Sequence, residues 1–371
     1  MPDGIAQNAA PRYPRVVVDR EKLGENMDYV LEKCAEYGVE VAGVIKGVNA
    51  ISGVIPEYLS RPFVHIASSR LEQLRRVREM DPEHTKETLL VRIPMLSEIE
   101  EVVDVCDIAL VSEEAQLIAL DRAAATRGKI FKVILMADLG DLREGWWDRD
   151  ELVKAALLAE NDLKNISLEG VGTNVGCYGS VMPTPDKLGE LVEAAEAIEK
   201  AIGRELRFIS GGATSSFMRI LDGDIPVRVN HLRIGEVILL ARDLDLFYGY
   251  DLSAMHMDAF TLEAEVIEVK DKPSHPVGQL GIDAFGHTQT YVDRGIRKRA
   301  LIGVGKVDMA DPFDLFPRDE GIEVLGASSD HTILDIEGCP DIKVGDILEF
   351  DLNYGSLVHL TSAPGVRIVY K

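Results

Sequence analysis

From about residue 15 to residue 240, short apolar runs of strand character alternate with amphipathic helical segments, and this alternation limits the fold more than any other feature. The runs are Val41–Lys46, Phe63–Ala67, Leu89–Ile93, Ile108–Val111, Phe131–Ala137, Leu168–Thr173, Leu206–Ser210 and Leu232–Leu240. They are continuously apolar rather than alternating, as expected of parallel strands covered on both faces. One segment between them, Pro185 to Ile202, has Thr184 as N-cap, proline at its first position and Gly203 as its stop. A second, Glu113 to Arg127, follows the candidate cap Ser112 and has acids in its first turn. Eight such units predict an α/β fold, a closed (β/α)8 TIM-type barrel; a doubly wound open sheet is the alternative.

After Tyr248 the pattern changes. Leu262–Val269, Arg299–Val304, Ile322–Leu325, Thr332–Ile336 and Ile347–Leu352 are short β runs between Gly, Pro and Asp turns, with little helical periodicity. The expected division is a barrel domain over residues 1–245 and a C-terminal all-β domain over 246–371. A length of 371 residues suits two such domains.

Composition narrows the partners. Lys+Arg 40 against Asp+Glu 63 gives a net charge of −23, which argues against nucleic acid or an anionic membrane. No apolar run reaches the ~18 residues of a membrane span. The N-terminal segment lacks an apolar signal core. Cys34, Cys106, Cys177 and Cys339 are scattered without metal-ligand spacing, so a reduced, cytoplasmic protein with no structural metal is expected.

In a (β/α)8 barrel, chemistry collects where strands end. Lys46 closes the first run, beside apolar walls that would disfavour its ammonium and free an amine able to condense with an aldehyde. A surface lysine bordering a strand gives the same pattern. The fifth run leads into Asp138–Gly145, where glycines let a loop carry Arg143 over the mouth. Its fork suits a carboxylate, and pairing with Asp141 or Glu144 is the alternative. The sixth ends near Asn174, which could address a ring oxygen or cap a turn. The seventh ends in Ser210-Gly211-Gly212-Ala213-Thr214-Ser215-Ser216, whose hydroxyls and helix-start amides can meet an anion. It is neither a Walker loop nor GxGxxG, so nucleotide binding finds no support. In the eighth, Asn230–Glu236, Arg233 sits inside an apolar run and needs a partner.

Five segments carry a specific resemblance: DLGDLREG (138–145), GTNVGCYG (172–179), NHLRIGEVILL (230–240), DAFG (283–286) and GASSDHT (326–332). With these the chain resembles, over nearly its whole length, the fold-type III pyridoxal 5'-phosphate racemases related to alanine racemase. Within them it is most similar to the ornithine racemases. The resemblance implies that Lys46 bonds the cofactor and that Arg233 contacts the pyridine nitrogen. It implies that Gly212, Thr214, Ser215, Gly235, Glu236 and Tyr354 hold the phosphate. Arg143 would bind the substrate carboxylate, and Ser329 would lie on the substrate side. Asn174 stands where alanine racemases place a histidine against the ring. Lys306 stands where their second catalytic residue, a tyrosine from the other subunit, would be. Ala50 replaces another tyrosine and suggests room for a longer side chain.

The expected activity is racemisation of a free amino acid, ornithine or lysine, in a head-to-tail homodimer. Lys46 would serve one face of Cα and Lys306 the other, with Asp283 an alternative near the substrate end or a turn residue. A racemase of alanine or of broad specificity is the first alternative. A pyridoxal-phosphate aldolase or decarboxylase, with Asp330-His331 as a partial metal pair, is a second. A non-catalytic pyridoxal-phosphate carrier is a third, though such proteins lack a β domain.

Overall fold

The structure, a computed structural model, describes residues 12–286, 288 and 290–371. The chain divides into two units. One is Leu23–Met255; the other joins the described residues through Lys22 to His256–Lys371. The first strand, β1 (Arg15–Val18), therefore belongs with the C-terminal β unit, not with the barrel expected over 1–245. Its partners lie far off in sequence, Glu263 and Arg367 standing opposite Arg15, and no local pattern announces them.

The larger unit is a closed barrel of eight parallel strands: β2 (Glu40–Val44), β3 (His65–Ser68), β4 (Glu87–Leu90), β5 (Ile108–Val111), β6 (Phe131–Met136), β7 (Ile166–Gly172), β8 (Phe208–Ser210) and β9 (His231–Ile234). The last pairs with the first, Glu40 opposite His231. Ala42, Val44, Ala67, Leu89, Leu110, Ile134, Met136 and Phe208 contribute to its core. Gly170 lets β7 approach β8 closely; a Cβ there would stand 2.2 Å from the Phe208 carbonyl oxygen.

Several strand boundaries shift, the first barrel strand ending at Val44 and not at Lys46, and two further shifts bear on the site. The run Leu206–Ser210 forms a strand only from Phe208. The run Leu232–Leu240 splits: β9 ends at Ile234, Gly235 takes a non-extended conformation (φ −134°, ψ −69°), and Glu236–Leu239 is helical. Val237, Ile238 and Leu239 are fully buried, and a buried apolar run reads alike as strand or helix. The helix Pro185–Ile202 forms as expected, with the Thr184 hydroxyl accepting from the Lys187 amide and Gly203 left-handed (φ 79°). The helix Glu114–Thr126 is not capped by Ser112. Its N-cap is Glu113, and the Ser112 amide instead donates to Gln116 Oε1 at 3.3 Å.

The β unit holds β10 (Phe260–Pro273), β11 (Ile296–Ile302), β12 (Leu315–Pro317), β13 (Glu323–Ala327), β14 (Thr332–Asp335), β15 (Ile347–Leu352) and β16 (Arg367–Tyr370). The sheet runs β12-β15-β10-β11-β14-β13, and β1 pairs antiparallel with β10 and parallel with β16. It also contains the helix Tyr354–Leu360, started by Asn353 as cap. No helix among the described residues is long and apolar enough to cross a membrane.

Candidate active site

Lys46 directly follows Ile45 beyond β2 and opens a short 3-10 turn, at the C-terminal end of the barrel. Its side chain reaches solvent through the mouth, but the surrounding wall displaces most of its water. That desolvation pushes its pKa down, and the charges of Arg143 and Arg233 push the same way; Cys177 and Glu144 oppose them. Both arginines named from the sequence thus act on Lys46.

Arg233 lies inside the barrel, 3% exposed. One terminal nitrogen, Nη2, donates to the Thr173 carbonyl and to Asn174 Oδ1, each at 2.6 Å. The other, Nη1, donates to Ser210 Oγ. Burial pushes the guanidinium down to about 10, so it remains a cation near neutral pH.

Arg143 rides on the loop after β6, which closes on itself: the Trp146 amide donates to Met136 O at 2.8 Å and the Asp138 amide to Trp146 O at 3.1 Å. Its fork faces a protein carboxylate. Nε and Nη2 donate to Glu144, the latter at 2.7 Å, and Nη1 reaches Cys177 Sγ at 3.0 Å. The local pairing weighed from the sequence is therefore present. Glu144 Oε1 also accepts from Asn174 Nδ2, so Arg143, Glu144, Asn174 and Arg233 form one continuous chain across the mouth. The sequence offers Glu144 only as a local partner of Arg143; nothing in one dimension brings it to Asn174, thirty positions on. Asp141 is fully buried. It accepts from the amides of Tyr178 (3.0 Å), Val181 (3.3 Å) and Cys177 (3.4 Å), and so holds the loop after β7 to the loop after β6.

The phosphate-type loop assembles from two elements. Gly212 is left-handed (φ 118°), and a Cβ there would sit 2.6 Å from Ser216 Oγ. Thr214 Oγ1 lies 3.4 Å from the Gly235 amide and 3.5 Å from the Val237 amide, joining the turn after β8 to the turn after β9. Ser215 donates to the Val175 carbonyl at 2.8 Å. The amides of Thr214, Ser215 and Glu236 stand in first turns, without intrahelical acceptors. The Glu236 carboxyl turns inward. Its Oε1 accepts from the Arg242 and Asp243 amides, both at 3.1 Å, while Oε2 has no hydrogen-bond partner. Burial and the neighbouring Asp243 raise its pKa to about 7.

The remaining candidates lie in the β unit. Lys306 Nζ sits 4.1 Å from the Phe285 ring centroid, a cation–π contact. The Val307 amide donates to the Ser329 carbonyl at 3.1 Å, and Ser329 Oγ donates to Asp330 at 2.6 Å. Asp283 Oδ1 accepts from the Phe285 amide at 2.9 Å, the turn role weighed for it from the sequence. Tyr354 is the first residue of its helix.

A parallel eight-stranded barrel with a lysine at the end of its first strand, joined in sequence to an antiparallel β unit, is the architecture of alanine racemases. Residues 18–243 match the family model described as alanine racemase, N-terminal domain. The chain is 40% identical over 347 residues to an ornithine racemase of Acetoanaerobium sticklandii, covering 93% of this chain and 96% of the relative. It is 37% identical over 360 residues to a lysine racemase of Thermotoga maritima, covering 97% and 99%. Among solved structures, an alanine racemase of Clostridium difficile 630 superposes with a TM-score of 0.71 at 17% identity, over 95% of this chain and 94% of that one. A D-threonine aldolase of Filomicrobium marinum does so at 0.71 with 14% identity, over 95% and 90%. Those two likenesses establish the fold. The family match and the curated relatives establish more: the chain belongs to the alanine racemase family.

Proposed function

We propose that this chain racemises a free basic amino acid, ornithine first and lysine second, with pyridoxal 5'-phosphate as cofactor. The observation that carries the reading is Lys46: an accessible amine at a strand end whose charge is disfavoured by its wall and by two arginines. The donor set fits that cofactor. Lys46 suits an aldehyde, Arg233 a ring nitrogen, and the amides and hydroxyls at Gly212, Thr214, Ser215, Gly235 and Glu236 a phosphate, with Tyr354 a further donor. Asn174 would stand beside the ring. When bound, the cofactor supplies an aldehyde for the substrate amine and a conjugated system that acidifies its Cα–H.

Lys46, whose ammonium form is disfavoured by its wall and by two arginines, would bond the cofactor and, once released, take or return the Cα proton on one face. Arg233 would donate a hydrogen bond to the ring nitrogen without surrendering its own proton, since its pKa stays near 10. That restrains charge withdrawal into the ring and favours return of the proton to Cα. Arg143 would hold the substrate carboxylate through the edge that faces Cys177. Lys306 would serve the other face from the partner subunit of a head-to-tail homodimer, with Ser329 beside it. A distal ammonium needs an acceptor several atoms from Cα, and Asp283 is our candidate. Two curated relatives acting on ornithine and lysine, and a net charge of −23, support a cationic substrate. Four free cysteines suit a cytoplasmic setting.

The test is incubation with each L-amino acid in deuterated water, following Cα exchange and loss of optical rotation. Exchange reports deprotonation, and lost rotation reports protonation on both faces. Ornithine should exceed norvaline by at least roughly tenfold in kcat/KM, the scale of one buried charge pair. Equal turnover of ornithine, norvaline and alanine would defeat the diamino-acid reading.

A further inference from the structure

Below Arg233 the barrel interior carries a line of polar side chains. Strand residues two apart share a face, so His231 lies on the side of β9 that carries Arg233. Ser210, last in β8, is its registered neighbour. Ser210 Oγ is 2.8 Å from His231 Nδ1, and His231 Nε2 is 3.3 Å from His65 Nδ1. His65 Nε2 makes no hydrogen bond; the Glu87 carboxylate stands beside it, Oε2 at 3.5 Å, and the other Glu87 oxygen accepts from Lys132 Nζ. His65 and Glu87 are the first residues of β3 and β4, so the line descends from the mouth to the N-terminal end of the barrel. Ser210, His231 and His65 are fully buried, and Phe208 packs on both imidazoles at centroid distances of 4.9 and 5.2 Å.

The chemistry of the groups gives this line one direction. Arginine only donates, so Ser210 Oγ accepts from Arg233. The Glu87 carboxylate is an anion that only accepts, so its charge favours the His65 proton on Nε2, the nitrogen that faces it. With its proton on that nitrogen, His65 offers Nδ1 as the acceptor for His231 Nε2–H. His231 in turn offers an unprotonated Nδ1, and the Ser210 hydroxyl proton points there. Burial beside His65, Arg233 and Arg207 holds His231 well below the usual imidazole range, which keeps it neutral.

We propose that Ser210, His231 and His65 form a one-directional hydrogen-bond relay, oriented by the charge of the Glu87 carboxylate beside His65, that positions Arg233, making His231 and Glu87 positioning residues for the reaction. The proposal rests on the reading that Arg233 faces the cofactor ring. With its proton committed to His231, Ser210 keeps its lone pairs on the guanidinium and cannot rotate to donate elsewhere. Chained hydrogen bonds in a low-dielectric interior polarise one another, so Glu87 strengthens the acceptor that Arg233 meets. Glu87→Gln preserves shape but can donate as well as accept, which permits the reverse set of tautomers.

The experiment uses cofactor-loaded protein labelled with 15N-histidine. His231 and His65 should both show protonated Nε2 and unprotonated Nδ1, and His231 should not titrate between about pH 5 and 8. Glu87→Gln should change those tautomer signals, shift the absorbance maximum of the bound cofactor, and lower kcat about tenfold with KM within about twofold, the scale of one weakened charge-assisted hydrogen bond. Glu87→Asp, which retains the carboxylate, should restore the wild-type tautomers. Protonated Nδ1 on His231 in the wild-type protein overturns the inference. So does a Glu87→Gln protein that loses thermal stability while keeping its tautomers, absorbance and kcat. If borohydride trapping finds the cofactor elsewhere than on Lys46, the site reading falls, and the tautomer signals still decide the relay.

Discussion

Glu144 Oε1 lies 2.7 Å from Arg143 Nη2, so the arginine assigned to the substrate carboxylate is already gripped along one side by a carboxylate of its own loop. The grip leaves Nη1 facing Cys177 and fixes which edge a ligand can meet. Glu144→Gln loosens that orientation. Because Arg143 is 39% exposed, the effect should be modest: KM for the amino acid rises about threefold, ~0.7 kcal/mol, with kcat nearly unchanged. Steady-state kinetics decide it; a fall in KM would mean that Glu144 competes with substrate instead.

Lys46→Ala should abolish Cα exchange and remove the borohydride-trapped cofactor from its peptide. Lys46 is accessible and anchors no buried network, so the unfolding free energy should change by no more than about 0.5 kcal/mol. A trapped adduct surviving on another lysine would remove Lys46 from its role.

Gly170→Ala addresses the barrel alone. The added methyl would lie 2.2 Å from Phe208 O and 2.8 Å from Phe208 Cβ, contacts that only a shift of β7 from β8 can relieve. Overpacking of this kind costs about 1–3 kcal/mol, visible as a lower denaturation midpoint with an unchanged slope. A midpoint equal to wild type would show that the strands separate without cost.

Glu236 sets a pH dependence of stability. Its folded pKa is raised, to about 7 from 4.5, so the folded state binds the proton more tightly than the unfolded state does. Its contribution is fully present below about pH 4.5 and is lost as pH rises through about 7. Glu236→Gln should flatten the stability curve across that window. Chemical denaturation of the cofactor-free protein at stepped pH measures it; identical slopes in both proteins would contradict it.

How much of this was legible in the sequence depends on the distance over which each signal acts. The helix Pro185–Ile202 was readable because cap, proline and glycine stop are all local. Lys46 and Arg233 were readable as charges at or within apolar runs. The helix Glu236–Leu239 was not, because burial on all sides erases the difference between period two and period 3.6. The link from Glu144 to Asn174 joins loops after different strands and has no one-dimensional signature. His231 did carry one: a second polar residue two positions before Arg233, on the same strand face.

The position of β1 has a consequence for the order of assembly. It pairs with β10 and β16, with Arg15 opposite both Glu263 and Arg367, and the whole barrel lies between it and them in sequence. During synthesis β1 leaves the ribosome before either partner exists. The barrel has all eight strands in hand long before Arg367 emerges and can close first, since domains fold as units in the order they appear. Until β10 emerges β1 waits as an unpaired Arg-Val-Val-Val strand, and after that one of its edges stays open until β16 arrives. The nascent chain is thus most prone to association through β1 before β10 emerges, and keeps one open β1 edge until β16 does.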